Sequence, residues 1–384
     1  MKLPKMTLLV AALLGAASLC ATPKAAATDS GTSVKASDSK ITFIGRTWTD
    51  GGDVSFDWTG VYAKVRFQGN WLKFKVSDTK KNYYNVWIDK AMDSDPDKVL
   101  TVCGSDTTIT IFGTDELKAL FGKDRKAAKA PHQVILQKRT EGNEGKTTVS
   151  EFITDGSFLQ ADAPKDRIIE YVGDSYTCGY GTEAPNTDRY KPETENQNLT
   201  YACAAARYFG ADQIVTAHSG CGIVRNYNGD LKGWNMVERY LQTFDLDKEM
   251  KWDAKASHLK PSITVIYLGT NDFSRGMQPA ERFFVKNYIT LLKEIKANYG
   301  DDYPILCVAP KHDCVMFDYL RKVQDTCGLA NIHIVALGNS VHNDVTDMGA
   351  DGHPNRSGHL KKAYALIPYI ATVAGWEMTG NQVK

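Results

Sequence analysis

The 384-residue sequence predicts two domains: an N-terminal antiparallel β-sandwich of jelly-roll type, and a C-terminal α/β domain whose parallel sheet is flanked by helices. The composition, 42% hydrophobic and 24% charged, is that of a soluble globular protein. Short alternating runs fill the first part of the chain, and buried strands alternate with helical segments in the rest. We place the sandwich at residues 38–158 and the α/β domain at residues 166–380.

Within residues 38–158, apolar and polar residues alternate in short runs between Gly, Asp and Asn turns, which indicates antiparallel strands. Gly69 and Asn70 separate two such runs, and we interpret them as a two-residue hairpin turn because both tolerate positive φ. A short helix is predicted over residues 115–121. The clearest strand runs are 61–67, 71–76, 84–88 and 107–112.

Within residues 166–380, strand and helix patterns alternate, which is typical of a parallel sheet covered on both faces. Ligands bind such sheets beyond the carboxyl ends of the strands, so the residues after each strand are the functional candidates. The predicted strands are 168–172, 214–215, 263–268, 305–308 and 332–335, and the predicted helices are 201–209, 280–299, 317–327 and 357–374.

Residues 1–27 predict a secretory signal peptide. Lys2 and Lys5 precede an apolar run over residues 8–19 that is too short to cross a bilayer as a stable helix. Cys20 is a conceivable site of lipid attachment, but the bulky residue before it favours export without an anchor. We therefore expect a secreted or periplasmic protein with no integral membrane segment after cleavage.

Charge is almost balanced, with 46 Lys and Arg against 45 Asp and Glu. No overall field attracts nucleic acid or an anionic membrane, so we expect neither as a partner. Seven cysteines remain without Cys20, an odd number that does not indicate a disulfide framework. We expect buried free thiols, although Cys307 and Cys314 are near enough in sequence to pair. No spacing typical of zinc ligands occurs, so no metal site is predicted.

Three polar segments supply candidate catalytic groups. Ser175, in Gly-Asp-Ser at residues 173–175, follows the first α/β strand and is a candidate nucleophile. Asn271, in Gly-Thr-Asn-Asp, has an amide that can donate to a developing oxyanion. His353, before the last helix, is a candidate base. Each residue also has a structural alternative, such as a helix N-cap or a turn, but their matching positions at one sheet edge favour catalysis.

These segments, in this order, resemble the sequence blocks of the SGNH or GDSL-type hydrolases. More closely, a β-sandwich followed by Gly-Asp-Ser-x-Thr-Cys-Gly-Tyr-Gly, and then by Ser-Gly-Cys-Gly-Ile at residues 219–223, resembles carbohydrate esterase family two, the two-domain acetyl esterases that act on plant polysaccharides. The resemblance implies an accessory sandwich packed on an SGNH domain, and removal of acetyl groups from a xylan-like or glucomannan-like polysaccharide or oligosaccharide. It implies no cofactor.

The same resemblance implies roles for individual residues. Ser175 would attack the acetyl carbonyl, and His353 would take the serine proton and later activate water. The oxyanion would bind the Ser175 N–H, the Gly220 N–H and the Asn271 amide, with Gly222 as the alternative glycine.

The third member of the catalytic group is less regular. Many SGNH hydrolases place an Asp three residues before the His, where this chain has Ala350, whereas Asp351 is two residues before His353. We include Asp351 in the site. The His can be held by the Asp351 side chain or only by a backbone carbonyl, and the sequence leaves both arrangements open.

Two other functions remain possible on the sequence alone: a lipase or thioesterase of the same fold, and a non-catalytic glycan-binding protein, because fold does not determine function. Loop aromatic residues are candidates to stack on sugar rings, although such residues more often pack in cores or loops. They are Tyr180, Tyr227, Trp234 and Trp252. Most aromatic residues of the sandwich, which include Trp58, Trp71 and Trp87, are expected to face its interior.

Overall fold

The computed structural model describes residues 31–124, 126–338, 341 and 343–384. The predicted signal peptide and Cys20 lie outside the described residues. Within these ranges, no helix combines the length and the apolar character needed to cross a membrane.

The first half of the described chain is the antiparallel β-structure that the alternating runs predict. Its strands are β1 (Thr32–Lys35), β2 (Thr42–Ile44), β3 (Trp48–Asp50), β4 (Asp53–Phe56), β5 (Tyr62–Gln68), β6 (Leu72–Ile88), β7 (Lys98–Phe112), β8 (His132–Lys138), β9 (Thr147–Thr154) and β10 (Ser157–Leu159). They form one curled sheet with the main order β10-β5-β8-β6-β9-β4-β3.

The curl of this sheet depends on one long strand. β6 has 17 residues. Its first part, residues 72–78, pairs with β9, and its last part, residues 84–88, pairs with β8. One strand thereby joins the two layers, and the inward side chains form a dense apolar core between them. That core includes Phe56, Trp58, Phe67, Phe74, Val86, Phe112, Leu136 and Phe152.

The predicted hairpin at Gly69 and Asn70 is wrong. β5, which precedes these residues, pairs with β2, β8 and β10, whereas β6, which follows them, pairs with β7, β8 and β9. The Asp155 carboxylate accepts the N–H groups of Asn70 at 2.7 Å and Trp71 at 3.3 Å. A long-range contact therefore sets this turn, and the local pattern that favours a hairpin does not decide which strands pair.

The second half folds as predicted into a parallel sheet with helices on both faces. The strands are β11 (Ile168–Gly173), β12 (Asp212–Ala217), β13 (Ile263–Tyr267), β14 (Ile305–Ala309) and β15 (Ile332–Ala336), in the order β12-β11-β13-β14-β15. The helices of the described chain are α1 (Thr114–Phe121), which lies in the first half, α2 (Ser175–Cys178), α3 (Tyr201–Tyr208), α4 (Met236–Arg239), α5 (Glu281–Tyr299), α6 (Val315–Thr326) and α7 (Arg356–Ala374).

Successive strand residues face opposite helix layers, as the period of a β-strand requires. On β13, Val265 packs in the cluster formed with α3 and α7, and Ile266 packs in the cluster formed with α5 and α6. Within the described part of the chain, six cysteines are free thiols and five of these are buried, whereas Cys103 is disulfide-bonded, so the expectation of free thiols is wrong for Cys103. Cys307 and Cys314 are both among the free thiols, so the possible pair between them does not form.

The two halves meet along a buried seam. Ile44, Tyr62 and Trp87 from the first half form one apolar cluster with Ile168 and Ile214 from the second half. Removal of these side chains from water stabilises the contact between the halves, at about 25 cal/mol per Å² of apolar surface.

A buried ion pair also crosses the seam. Arg46 Nη2 lies 3.3 Å from Glu170 Oε1, and Arg46 Nη1 donates to the backbone carbonyls of Tyr240 at 2.5 Å and Gln242 at 3.0 Å. Glu170 also accepts from Tyr240 Oη and from Thr264 Oγ1. Because both charged groups are fully buried, each depends on the other for compensation of its lost hydration.

We expect Arg46→Met to destabilise the protein by about 3–5 kcal/mol, because it leaves the Glu170 carboxylate buried without its counter-charge. The matched control is Lys311→Met, which removes an exposed ion pair with Asp313 and should change stability by less than about 1 kcal/mol. Urea denaturation followed by tryptophan fluorescence measures both. Equal stabilities of the two variants would show that the seam does not depend on this pair.

Candidate active site

Ser175 lies just beyond the carboxyl end of β11, at the start of α2. Asp174, rather than Ser175, caps this helix, because Asp174 Oδ1 accepts the Tyr176 N–H at 3.1 Å. Only glycine fits at position 173, since a Cβ there would lie 2.0 Å from Thr177 Oγ1. The Ser175 hydroxyl is therefore not used as a cap and is free for another partner.

That partner is His353. Ser175 Oγ lies 2.8 Å from His353 Nε2, and His353 Nδ1 lies 3.2 Å from the backbone carbonyl oxygen of Asp351. A carbonyl can only accept, so this contact assigns the proton to Nδ1 and leaves the Nε2 lone pair facing the serine hydroxyl. The imidazole packs against Tyr180 and Tyr176, with ring centroids 4.3 Å and 5.5 Å away.

The Asp351 carboxylate does not bind His353. Its Oδ1 pairs with Arg189 Nη1 at 3.0 Å, and its Oδ2 accepts the Tyr190 N–H at 2.9 Å and the Tyr180 hydroxyl at 3.4 Å. These donors lower the pKa of Asp351, the Tyr190 N–H most strongly. Asp351 also adopts φ of 51°, an uncommon conformation for a residue with a Cβ. The side chain therefore anchors the loop while the carbonyl faces the histidine.

The environment of His353 favours the neutral ring. Burial lowers its pKa from the ordinary value of 6.5, and the contact with the Asp351 carbonyl only partly opposes this shift. At neutral pH the imidazole is therefore able to accept a proton at Nε2. This arrangement can deprotonate Ser175 as it attacks an ester.

Two backbone N–H groups near this pair are without an acceptor within the described part of the chain. They belong to Ser175, at the first position of α2, and to Gly220, in the loop after β12. The Gly222 N–H, by contrast, donates to Asn226 Oδ1 at 3.1 Å. The hydrogen bonding therefore favours Gly220 over Gly222 as an oxyanion donor. Gly220 has φ of 77°, which glycine adopts without strain.

Asn271 follows β13 at the same edge of the sheet. Its side-chain Nδ2 donates to Asp174 Oδ2 at 3.1 Å and to the Cys221 carbonyl at 2.9 Å. Asn271 thus connects the turn that carries Ser175 with the loop that carries Gly220. Burial raises the pKa of Asp174 to about 7.

Asp272 holds the loop after β12, which carries Gly220 and Gly222. Its buried carboxylate accepts the N–H groups of Ile223 at 2.8 Å, Val224 at 2.7 Å and Arg225 at 3.1 Å. Burial raises the pKa of this carboxyl to about 6, and the three donors oppose the shift. From the sequence an ordinary turn is the alternative to a functional role for Asn271, and no role is predicted for Asp272, whose carboxylate holds three N–H groups of this loop.

Sequence reasoning also missed a contact from the first half of the chain. Glu141 lies in the connection between β8 and β9, and its Oε2 accepts the Ser219 N–H at 2.7 Å. His218, just before Ser219, contacts Asp245 Oδ2 through Nδ1 at 2.6 Å. Glu141 is 78 residues from Ser219, and no local motif signals a contact over that separation.

The aromatic candidates separate into different environments. Tyr227 is 50% exposed, and its N–H donates to the Gly220 carbonyl at 2.7 Å, which places it beside the candidate oxyanion loop. Tyr180 stacks on Tyr190 at 4.0 Å. Trp252 packs against Arg46 and Trp234 packs near Lys248 and Arg239, while Trp58 and Trp87 are buried in the first half. Tyr227 is therefore the exposed candidate for contact with a sugar.

One group of side chains in the described residues has spacing suited to a metal ion: Glu141, Cys178 and Glu195, with ligand atoms within 4.8 Å of one another. All are buried, and Glu141 and Glu195 already accept hydrogen bonds from the Ser219 N–H and the Tyr190 hydroxyl. Protein donors thus satisfy part of this cluster without a cation.

A cavity of about 670 Å³ lies elsewhere, between the two halves. Its lining includes Asp212 and Gln213, at the amino end of β12, together with Lys165 and Arg207. None of the five predicted site residues lines it. The cavity is therefore at the sheet edge opposite Ser175, away from the contact between Ser175 and His353.

Two family profiles match the chain in succession. The carbohydrate esterase 2 N-terminal profile matches residues 43–164, and the GDSL-like lipase/acylhydrolase family profile matches residues 171–361. The change from one to the other coincides with the change from the antiparallel to the parallel sheet.

Known proteins of similar sequence include two named for esterase activity. The chain is 29% identical over 326 residues to the cellulase/esterase CelE of Acetivibrio thermocellus, covering 83% of this chain and 38% of CelE. It is 28% identical over 336 residues to an acetylxylan esterase/glucomannan deacetylase of Cellvibrio japonicus, covering 84% of this chain and 86% of that protein. The chain therefore spans well under half of CelE.

Solved structures agree. A family two carbohydrate esterase from Clostridium thermocellum, in complex with cellohexaose, matches with a TM-score of 0.76 and 28% identity over 88% of this chain and all of that chain. A family two carbohydrate esterase from Cellvibrio japonicus has the same fold, with a TM-score of 0.78 and 21% identity over 90% of this chain and 99% of that chain. The chain therefore combines a domain of the carbohydrate esterase 2 N-terminal family with a domain of the GDSL-like lipase/acylhydrolase family, and over most of its length it is similar to family two carbohydrate esterases.

Proposed function

We propose that this protein is an exported serine esterase that removes O-acetyl groups from plant polysaccharides such as xylan or glucomannan through an acetyl-enzyme intermediate. The observation that carries the proposal is the 2.8 Å contact between Ser175 Oγ and His353 Nε2. Residues 166–380 would form the catalytic domain and residues 38–158 the sandwich domain that supports it, after removal of residues 1–27 on export.

In the first step, Ser175 Oγ attacks the acetyl carbonyl carbon while His353 Nε2 takes the hydroxyl proton. The tetrahedral oxyanion binds the N–H groups of Ser175 and Gly220, and one Asn271 N–H exchanges its present acceptor for the oxyanion. Collapse of the intermediate breaks the bond to the sugar oxygen, which takes the proton from His353 and leaves as a hydroxyl. Ser175 then carries the acetyl group as an ester.

In the second step, His353 Nε2 removes a proton from water, and the resulting hydroxide attacks the acetyl carbonyl. The same donors bind the second oxyanion. Its collapse returns the proton to Ser175 Oγ and releases acetic acid, which ionises in solution. The Asp351 carbonyl stabilises the transient imidazolium at Nδ1 in both steps, the role that a carboxylate performs in a Ser-His-Asp triad.

The choice of an acetylated polysaccharide rests on the family and on one surface feature. The Cellvibrio relative is an acetylxylan esterase/glucomannan deacetylase, and the Clostridium esterase structure contains cellohexaose. In this chain Tyr227 is half exposed, its backbone N–H donates to the Gly220 carbonyl, and the Arg275 guanidinium lies 5.5 Å from its ring centroid. An aromatic face suits the apolar face of a pyranose, so a sugar ring bound there would present its acetyl group to Ser175.

We expect Ser175→Ala to lower acetate release from acetylated xylan by about 10⁴-fold or more, because it removes the nucleophile. The thermal unfolding midpoint should stay at the wild-type value. The matched control is Ser357→Ala, since Ser357 binds Asp347 at the start of α7 and is not a site residue. That variant should retain the wild-type rate. Full activity of the Ser175 variant would exclude the proposed mechanism.

The acyl group separates the proposal from its alternatives. With paired acetyl and octanoyl esters of one alcohol, acetyl should be the better substrate by kcat/KM. Faster turnover of the octanoyl ester would point to a lipase or thioesterase. A folded wild type that binds xylan but hydrolyses neither ester would point to a glycan-binding protein.

The pH dependence of kcat/KM should report His353. Because its pKa is lowered from 6.5, the neutral base persists to lower pH, and activity should rise along an acid limb whose midpoint lies below 6.5. A neutral acetyl ester keeps substrate ionisation out of the profile, and activity recovered at pH 7 after each incubation controls for unfolding. A midpoint at or above 6.5 would contradict a desolvated His353.

A further inference from the structure

The connection between β8 and β9 belongs to the first half of the chain, and it contacts the candidate active site in the second half. Lys138 Nζ donates to the backbone carbonyls of Thr140 at 2.6 Å and Glu141 at 2.9 Å, so the buried ammonium fixes this backbone. Gly142 packs on Asp245 so closely that a Cβ would lie 2.5 Å from Asp245 Oδ2. These contacts fix the backbone at Glu141, and its side chain extends from there into the seam between the two halves.

One carboxylate oxygen of Glu141 contacts two elements of the site. Oε2 accepts the Ser219 N–H at 2.7 Å, and the Cys178 thiol lies 3.8 Å from the same oxygen. Ser219 directly precedes Gly220, and Cys178 ends the helix that begins at Ser175. The two backbone N–H groups proposed to bind the oxyanion thus belong to segments that meet at Glu141 Oε2.

Hydrogen bonds hold the loop around Gly220 on both sides. Asp272 binds its far side through three N–H groups, beginning at Ile223. On the near side, the Ser219 N–H is held by Glu141, and the Gly220 N–H must stay unpaired to serve an oxyanion. An oxyanion hole is effective only if its donors are oriented before the reaction, because reorientation costs free energy in the transition state.

We propose that Glu141 is a positioning residue of the esterase: it orients the Gly220 N–H through the Ser219 N–H and sets its separation from the Ser175 N–H. This inference rests on the proposed function of Ser175. The sandwich half thereby supplies part of the catalytic arrangement, although Glu141 does not touch the substrate.

A pair of variants isolates the hydrogen bond. Glu141→Gln and Glu141→Met both remove the charge and nearly keep the side-chain volume, but only Gln retains an oxygen that accepts the Ser219 N–H. We expect the Met variant to have a kcat about 10–100-fold below that of the Gln variant. This fall is smaller than, or comparable to, the fall in kcat that follows removal of one oxyanion donor. KM should differ little, because the loss falls on the transition state.

A second readout reports the oxyanion hole directly. An alkylboronic acid forms a tetrahedral adduct with an active serine, so its inhibition constant should rise in the Met variant by a factor similar to the fall in kcat. Lys80→Ala, which removes a contact with the Asn143 carbonyl in the same connection, controls for general loosening and should leave kcat unchanged.

The outcomes are distinct. Equal kcat and equal boronate affinity of folded Gln and Met variants would overturn the role of Glu141, while Ser175→Ala would still be inactive. An active Ser175→Ala variant would instead refute the proposed function. If the Met variant does not fold, Glu141→Asp keeps the charge but withdraws the carboxylate by one methylene; it should show the same selective fall in kcat, and a wild-type kcat would contradict the proposal.

Discussion

The hydrogen bond from His353 Nδ1 to the Asp351 carbonyl is the constraint on which the site depends. It directs Nε2 at Ser175 Oγ, and it forms with Asp351 in the left-handed conformation, with φ of 51° and ψ of 32°. The Asp351 carboxylate stabilises that conformation through the Tyr190 N–H and Arg189. The Asp351 side chain thus stabilises the backbone conformation of its own residue, and the Asp351 backbone carbonyl orients His353.

The seam between the halves is the second determinant of the site. Apolar packing around Tyr62 and the buried pair of Arg46 and Glu170 fix the two sheets against each other. The connection that carries Glu141 can then form a hydrogen bond with the loop that carries Gly220. A dense interior transmits small displacements, so we expect the stability of the seam to be coupled to the orientation of the proposed oxyanion donors.

Those features of the fold and the site that depend on local sequence patterns could be predicted from the sequence. Alternation and strand-helix order predicted the two sheets, and the polar segments after β11 and β13 predicted that Ser175 and Asn271 share one edge. Long-range contacts were not predictable. The Asp155 carboxylate holds the Gly69-Asn70 turn through the Asn70 N–H, and Glu141 accepts the N–H of Ser219, which is 78 residues away in sequence. The spacing of Asp351 and His353 does not reveal whether the carboxylate or the carbonyl faces the ring, because that depends on the backbone conformation of Asp351 and on the partners of its side chain.

The most direct test of this account is kcat/KM of Asp351→Asn on an acetyl ester. Asn keeps the backbone carbonyl, tolerates positive φ and can still accept the Tyr190 N–H, so the variant should lose less than about tenfold. A carboxylate that oriented His353 directly would behave as the Asp of a Ser-His-Asp triad, where the same replacement costs about 10⁴-fold. A loss of that size would contradict the carbonyl-held histidine.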